Sequence, residues 1–242
     1  MSRRTIAIAA ALSVLTLGSP LVIANANPLA NNSFNSGVDK YEQGNYRGAI
    51  ADYTKALKIN PDFANAFAYR GVAKNKLGDH QGAIADFTKA VEINSQYASA
   101  YYNRGNAKRN LKDFQGAIAD YTKAIQINPK FANAYYNRGG IKYSLEDYKG
   151  EIADYNKAIE VDPKHPFAYY NRGIAKAYLE DYQGAIFDYD KALEINPQNA
   201  SAYLNRGIAG ELLNDLEGAC RDWRKATEFG LTQPAEWVKQ QC

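Results

Sequence analysis

The 242 residues carry 29 Lys and Arg against 26 Asp and Glu, a formal net charge of +3, and 46% of them are hydrophobic. That balance leaves no basic footprint for nucleic acid and excludes collagen, coiled coil and disorder as classes. Nineteen Tyr beside one Met and two Cys mean that a few residue types are reused, which is the composition of an internal repeat.

The chain opens on a short basic stretch, Ser2-Arg3-Arg4, followed by an apolar run from Ile6 to Leu17 and by Ala24-Asn25-Ala26. Small residues at the two positions that a signal peptidase reads predict a signal peptide over 1–26, cut after Ala26. An uncleaved anchor helix is the alternative, and Pro20 with the Ala-Asn-Ala triplet argues against it. No Cys lies near the cut to accept a lipid. Cleavage removes two arginines and no acid, leaving a net charge of +1 and no membrane span. The expected destination is the periplasm, a thylakoid lumen or the extracellular space. There Cys220 and Cys242 are free to form a disulfide.

From Asn27 onward the sequence repeats every 34 residues. Gly37, Gly71, Gly105, Gly139, Gly173 and Gly207 form one column. Ala56, Ala90, Ala124, Ala158, Ala192 and Ala226 form a second, and Tyr53, Phe87, Tyr121, Tyr155, Tyr189 and Trp223 a third. A further column reads Ala49, Ala83, Ala117, Glu151, Ala185 and Ala219. The six repeats run 30–63, 64–97, 98–131, 132–165, 166–199 and 200–233. Within one of them, Ala98 to Leu111 and Phe114 to Ile127 have helical spacing and are separated by a turn at Lys112-Asp113. Asp79, Asp113, Asp147, Asp181 and Asp215 stand where an N-cap is needed for the second helix. Asn60-Pro61, Asn128-Pro129, Asp162-Pro163 and Asn196-Pro197 stop it. Small residues facing each other predict a close helix crossing, which offsets the roughly 1 kcal/mol that Gly costs inside a helix.

The stretch from Ala100-Tyr101-Tyr102-Asn103-Arg104-Gly105 through Gly116-Ala117-Ile118-Ala119-Asp120-Tyr121 to Asn128-Pro129 resembles the tetratricopeptide repeat (TPR) family, and the likeness covers 30–233. Its wording is similar to repeats of exported cyanobacterial proteins. The resemblance implies an all-α fold, a right-handed α-α superhelix or solenoid of six helix-turn-helix repeats, with the irregular first repeat as an N-terminal cap. It also implies a short C-terminal capping helix over 234–242, with Trp237 and Val238 on its apolar side. That helix brings Cys242 within reach of Cys220.

Such arrays bind partners in a concave groove lined by the first helix of each repeat. Spacing of three and four residues puts Ser99, Tyr102, Asn103, Asn106, Arg109 and Asn110 on one face. Asn133, Tyr136, Asn137, Gly140, Tyr143 and Ser144 follow, then Phe167, Tyr170, Asn171, Ile174, Ala177 and Tyr178. Tyr supplies contact area with few rotors, and Asn can bond both N–H and C=O of an extended peptide. Equally, Tyr102, Tyr136 and Tyr170 can serve only to pack adjacent repeats. The residues Ala68, Tyr102, Tyr136, Tyr170 and Leu204 stand where co-chaperone relatives carry Lys, so a clamp on a terminal carboxylate is not expected. In the fourth repeat, Glu151 at the tight crossing and Gly140 on the groove face suggest a pocket flanked by Tyr136, Tyr143 and Tyr170. The alternative is drift, with the carboxylate relieved by Lys142 or Arg138.

No residue set asks for catalysis, a metal or a cofactor. Asp188-Tyr189-Asp190 matches an Asp-x-Asp motif, yet Asp188 belongs to the regular column Asp52, Asp86, Asp120, Asp154, Asp188 and Asp222. His80 and His165 lack partners at ligand spacing. The Arg column (Arg70, Arg104, Arg138, Arg172, Arg206) lies 16 or 18 residues from an Asp and predicts ion pairs between neighbouring helices. The function expected is that of a non-catalytic protein–protein interaction scaffold or adaptor, holding a partner peptide or helix outside the cytoplasm. Alternatives are an accessory module of an envelope, photosynthetic or glycosyltransferase complex, or glycan binding through the Tyr-rich groove.

Overall fold

A computed structural model describes residues 27–232 and 234–242, so the segment 1–26 read as a signal peptide lies outside the described residues. Thirteen helices and no strand occur among them. The chain divides into two compact halves, one ending at Pro129 and the other running from Lys130 to Cys242. The first half holds α1 (Pro28–Glu42), α2 (Tyr46–Ile59), α3 (Ala64–Lys76), α4 (His80–Ile93), α5 (Ala98–Asn110) and α6 (Phe114–Ile127). The second holds α7 (Ala132–Ser144), α8 (Tyr148–Val161), α9 (Ala168–Tyr178), α10 (Tyr182–Ile195), α11 (Ala200–Leu212), α12 (Leu216–Glu228) and α13 (Pro234–Gln241). Within each half every helix packs against the next.

The caps are those the sequence asks for. Oδ1 of Asp79, Asp113, Asp147, Asp181 and Asp215 accepts the N–H of the glycine three residues on at 2.8–3.0 Å. Asn45 does the same in the first repeat. Each cap satisfies a backbone donor that has no partner inside the helix. At the other end, Asn60, Asp162 and Asn196 turn the chain by accepting the N–H two residues further on. The turn between paired helices uses a left-handed residue, which is Gly44 and Gly78 in the first two repeats but Lys112, Glu146, Glu180 and Asn214 in the others.

The buried core repeats with the sequence. Tyr53, Phe87, Tyr121, Tyr155, Tyr189 and Trp223 are at most 2% exposed. Each ring lies over the glycine of its paired helix: a Cβ on Gly105 would stand 2.8 Å from Tyr121, and one on Gly207 2.6 Å from Trp223. The glycine column therefore admits an aromatic ring, while the carbonyls of Ala117 and Ala219 complete the close crossing. A methyl group has no room there.

Arg and Asp pair at a separation of 16 residues. Nε and Nη2 of Arg70, Arg104, Arg138, Arg172 and Arg206 form forked bonds with Asp86, Asp120, Asp154, Asp188 and Asp222 at 2.5–2.9 Å. A second cation completes four of these nodes. Lys74, Lys108, Lys142 and Lys176 lie 2.8–2.9 Å from the same carboxylates. In the first repeat Ser36 and Lys40 serve Asp52. Burial pushes that carboxyl up, but hydrogen bonds from Lys40, Ser36 and Lys55 overcome it and hold it at about 2. The third donor of Arg70, Arg104 and Arg172 reaches back to Thr54, Thr88 and Asn156 of the preceding repeat. One guanidinium thus ties two second helices together.

At the C-terminus α13 lies on α12, with Trp237 edge-on to Trp223 at 5.2 Å between ring centroids. The Sγ atoms of Cys220 and Cys242 are joined, with Cα atoms 5.7 Å apart.

Candidate partner-binding groove

In the first half the groove residues lie on α5. The ring of Tyr102 leans on Tyr121 at 5.8 Å, and the Tyr121 hydroxyl donates to Asn106 Oδ1 at 2.7 Å. Asn103 is half-buried and its Nδ2 has no hydrogen-bond partner. Arg109 and Asn110 are exposed.

In the second half the tyrosines split into two kinds. Tyr136 packs on Tyr155 at 5.6 Å and on His165 at 4.5 Å, and its hydroxyl accepts Asn171 Nδ2–H at 2.8 Å. Tyr170 packs on Tyr189, and its hydroxyl accepts from Asn205 at 3.1 Å. Here Tyr and Asn of successive first helices bond each other, which joins the repeats whatever else they do. Asn137 lies half-buried on the same helix face as Tyr136.

Tyr143 and Tyr178 are the other kind, at 39% and 54% exposure. Their hydroxyls meet at 3.1 Å, and that hydrogen bond, with burial second, pushes Tyr143 up to about 12. Tyr178 also stacks on Tyr148 at 4.8 Å with parallel rings. Beside them opens a cavity of about 420 Å³ lined by Tyr143, Ile174, Tyr178, Asn205, Ile208 and Leu212 among others, with no charged side chain in its wall. A site of this size, apolar with one amide, suits an uncharged side chain of a ligand. Asn205, Ile208 and Leu212, all on α11, were not among the groove residues expected from the sequence. The signal that could have found them is a break in columns: Tyr143 and Tyr178 occupy positions held by Asn75, Arg109 and Ala177, and by Lys76, Asn110 and Ser144.

Gly140 is not among the residues that line this cavity. A Cβ at Gly140 would meet only the Tyr155 hydroxyl, at 3.9 Å. Nor do Lys142 and Arg138 relieve Glu151, because both are spent on Asp154. Glu151 is 1% exposed, and its Oε2 has no hydrogen-bond partner. In the third repeat Asn106 accepts from the Tyr121 hydroxyl, and the fourth carries Gly140 at that position. Burial is the largest cause that pushes the Glu151 carboxyl up to about 7.

His165 is buried at 4% exposure, against Tyr136 and 3.2 Å from Asn133 Oδ1, and burial lowers its pKa. It fills the place that Phe63, Tyr97 and Phe131 fill elsewhere. Asp188 and Asp190 point to separate partners, Arg172 with Lys176 and Arg206. Among the described residues no group of three or more His, Cys, Asp or Glu is placed to hold a metal ion, and no helix is long and apolar enough to cross a membrane.

An all-α array of near-identical helix pairs, with a buried Arg–Asp pair repeated at the seams, is the architecture of a protein-interaction scaffold. Family models for the tetratricopeptide repeat match residues 98–131 and 166–199, and TPR repeat models match 37–78, 73–112 and 139–179, together well over half of the sequence. The chain belongs to the tetratricopeptide repeat family. No curated protein matches it in sequence. Among solved structures it resembles MamA at 29% identity and TM-score 0.64, over 72% of this chain and 94% of that one. It also resembles YrrB, a TPR protein with an unusual peptide-binding site, at 23% identity and TM-score 0.68, over 78% and 97%. PilF of Pseudomonas aeruginosa aligns at 19% identity and TM-score 0.75, over 88% and 98%. The last two likenesses show the fold alone.

Proposed function

We propose that this protein is an exported, non-catalytic adaptor that holds an extended segment of a partner protein along its first helices. The partner seats one apolar side chain in the cavity between Tyr143, Tyr178 and Leu212. The observation that carries the reading is the uncharged 420 Å³ cavity rimmed by two exposed tyrosines and Leu212, itself 53% exposed. Such aromatics supply contact area at low entropy cost, and Asn205 offers an amide to the peptide backbone. Tyr136, Asn137, Asn171 and Tyr170 lie on the first helices of the same half, and Tyr102, Asn103, Asn106 and Arg109 are the candidate contact residues of the first half, taken by itself.

The basic-then-apolar start of the sequence supports export with cleavage after Ala26, the array over 27–233 and the cap over 234–242. Cys220 and Cys242 would be oxidised at that destination. Selection of a random-peptide library on the immobilised protein tests the reading. Enriched peptides should share one apolar residue and lose binding at least tenfold on Tyr178→Ala and on Leu212→Ser. If no peptide is enriched while a glycan array gives a saturable signal that Tyr178→Ala removes, the groove serves sugars instead.

A further inference from the structure

Four of the ion-pair nodes hold a lysine ammonium in one place. Lys74, Lys108, Lys142 and Lys176 put Nζ 2.8–2.9 Å from Oδ2 of Asp86, Asp120, Asp154 and Asp188. The same Nζ lies 3.2–3.5 Å from the carbonyl oxygen of Gly82, Gly116, Gly150 or Gly184. The sixth repeat preserves the receptor and lacks the lysine. Asp222 is 8% exposed and bonded to Arg206, Gly218 supplies the matching carbonyl, and the residue in the lysine column is Gly210.

The space has not closed. An opening of about 210 Å³ is bounded by Ile186, Asp190, Arg206, Gly210, Gly218 and Asp222, with Asp215 and Arg221 also in its wall. A Cβ on Gly210 would meet its nearest neighbours, Asp215 O and Ala219 N, at 3.6 and 3.9 Å, which is ordinary contact. The charge around it is also inverted. Nodes two to five each hold two cations around one buried carboxylate, whereas here Arg206 alone faces Asp222 and Asp190. Asp190 replaces the Thr54, Thr88 or Asn156 of other repeats. Arg221, the other cation at the rim, is held by Glu217. One helical turn before Asp190, Phe187 stands 54% exposed in a column of Ala51, Ala85, Ala119 and Ala153. Two departures from the repeat thus meet at the opening, a lost lysine and a gained carboxylate, and a third, the exposed Phe187 ring with Lys191 Nζ at 5.9 Å, lies three residues before that carboxylate.

We propose that this slot receives the ammonium of a lysine side chain from a partner protein, with the partner's neighbouring apolar residue against Phe187. An ammonium has three donors, and the slot offers an oxygen from Asp222, one from Asp190 and the Gly218 carbonyl. A divalent metal is the poorer match. It needs six or more oxygens, and the three named here fall short of that. The slot shares no residue with the tyrosine cavity, so its fate is independent of the groove's.

The test uses amide chemical shifts of Gly210 and Gly218 in the full chain, at constant ionic strength, with n-butylammonium and tetramethylammonium chloride and with calcium chloride. The peptide acetyl-Leu-Lys-Leu-amide and its Nε-acetyl form are then compared. Saturable shifts are expected from n-butylammonium and, at least threefold tighter, from the free lysine peptide, with none from tetramethylammonium or the acetylated peptide. Gly210→Lys should fill the slot from within, raise Tm and weaken the peptide at least tenfold. Asp190→Thr, at a half-exposed position, should weaken it without changing Tm. Equal response to tetramethylammonium, tighter binding of calcium, a peptide no better than n-butylammonium, or unchanged binding in Gly210→Lys would each overturn the proposal.

Discussion

Replacing Arg172 with Met probes the seam between repeats at its most buried node. Asp188 is fully buried and receives Arg172 Nε at 2.8 Å and Nη2 at 2.5 Å, while Nη1 reaches Asn156 at 2.7 Å and the guanidinium lies 5.4 Å from the Tyr169 ring. Removing one partner of a buried pair costs about 3–5 kcal/mol because the other charge stays buried. Lys176 remains 2.8 Å from the second carboxylate oxygen and offsets part of that. The expected loss is therefore about 2–4 kcal/mol, read from urea unfolding by far-UV circular dichroism. Adding Asp188→Leu removes the stranded charge and should recover more than half of the loss, since apolar replacements of whole ion pairs are often neutral. A single-variant loss below about 0.5 kcal/mol, the level of a surface pair, would refute the claim that these nodes hold the repeats together.

Glu151 predicts a pH dependence. Its folded value near 7 lies above the ordinary 4.5, so its contribution to stability is fully present below pH 4.5 and is lost as pH rises through about 7. Full conversion of that difference gives about 3 kcal/mol, and relaxation with solvent entry reduces it to ~1–2 kcal/mol. Glu151→Gln should therefore gain Tm over the parent at pH 8 and not at pH 4; equal gains at both would contradict the assignment. Glu180, at φ 62°, should yield about 0.5–1 kcal/mol of stability on change to Gly, because the left-handed conformation costs Gly nothing; a loss in thermal melts would count against it. Cys220→Ser opens a loop of 22 residues and should cost about 3 kcal/mol. The intact non-reduced parent should be two protons lighter by mass than its reduced form, and a mass unchanged by reduction would remove the bridge.

Most of the fold is written in columns that a 34-residue period exposes. The glycine, alanine and aromatic columns and the Asp caps each have one local cause, so sequence position alone identifies them. The Arg to Asp offset left two choices, and only three-dimensional packing selects 16 residues. The lysine column was as regular as the arginine column, yet a lysine among polar neighbours carries no mark of burial until its stem is seen to run inward. His165 precedes Pro166 and carries no sequence mark of burial, yet its ring occupies an aromatic position of the core. Glu151 and Gly140 are legible as departures, but the burial that shifts the Glu151 carboxyl is seen only once the helices are packed. The tyrosine cavity needed α11, one repeat beyond the residues whose face the sequence defined.

The measurement that bears most directly on the account is the affinity of a selected peptide for the parent, Tyr143→Ala, Tyr178→Ala and Leu212→Ser, by fluorescence anisotropy, with Tm recorded for each. Partner capture in the second-half cavity predicts at least tenfold weaker binding in all three with Tm nearly unchanged, since all three residues are well exposed. Binding that is unaffected, or that falls only in step with Tm, would contradict it.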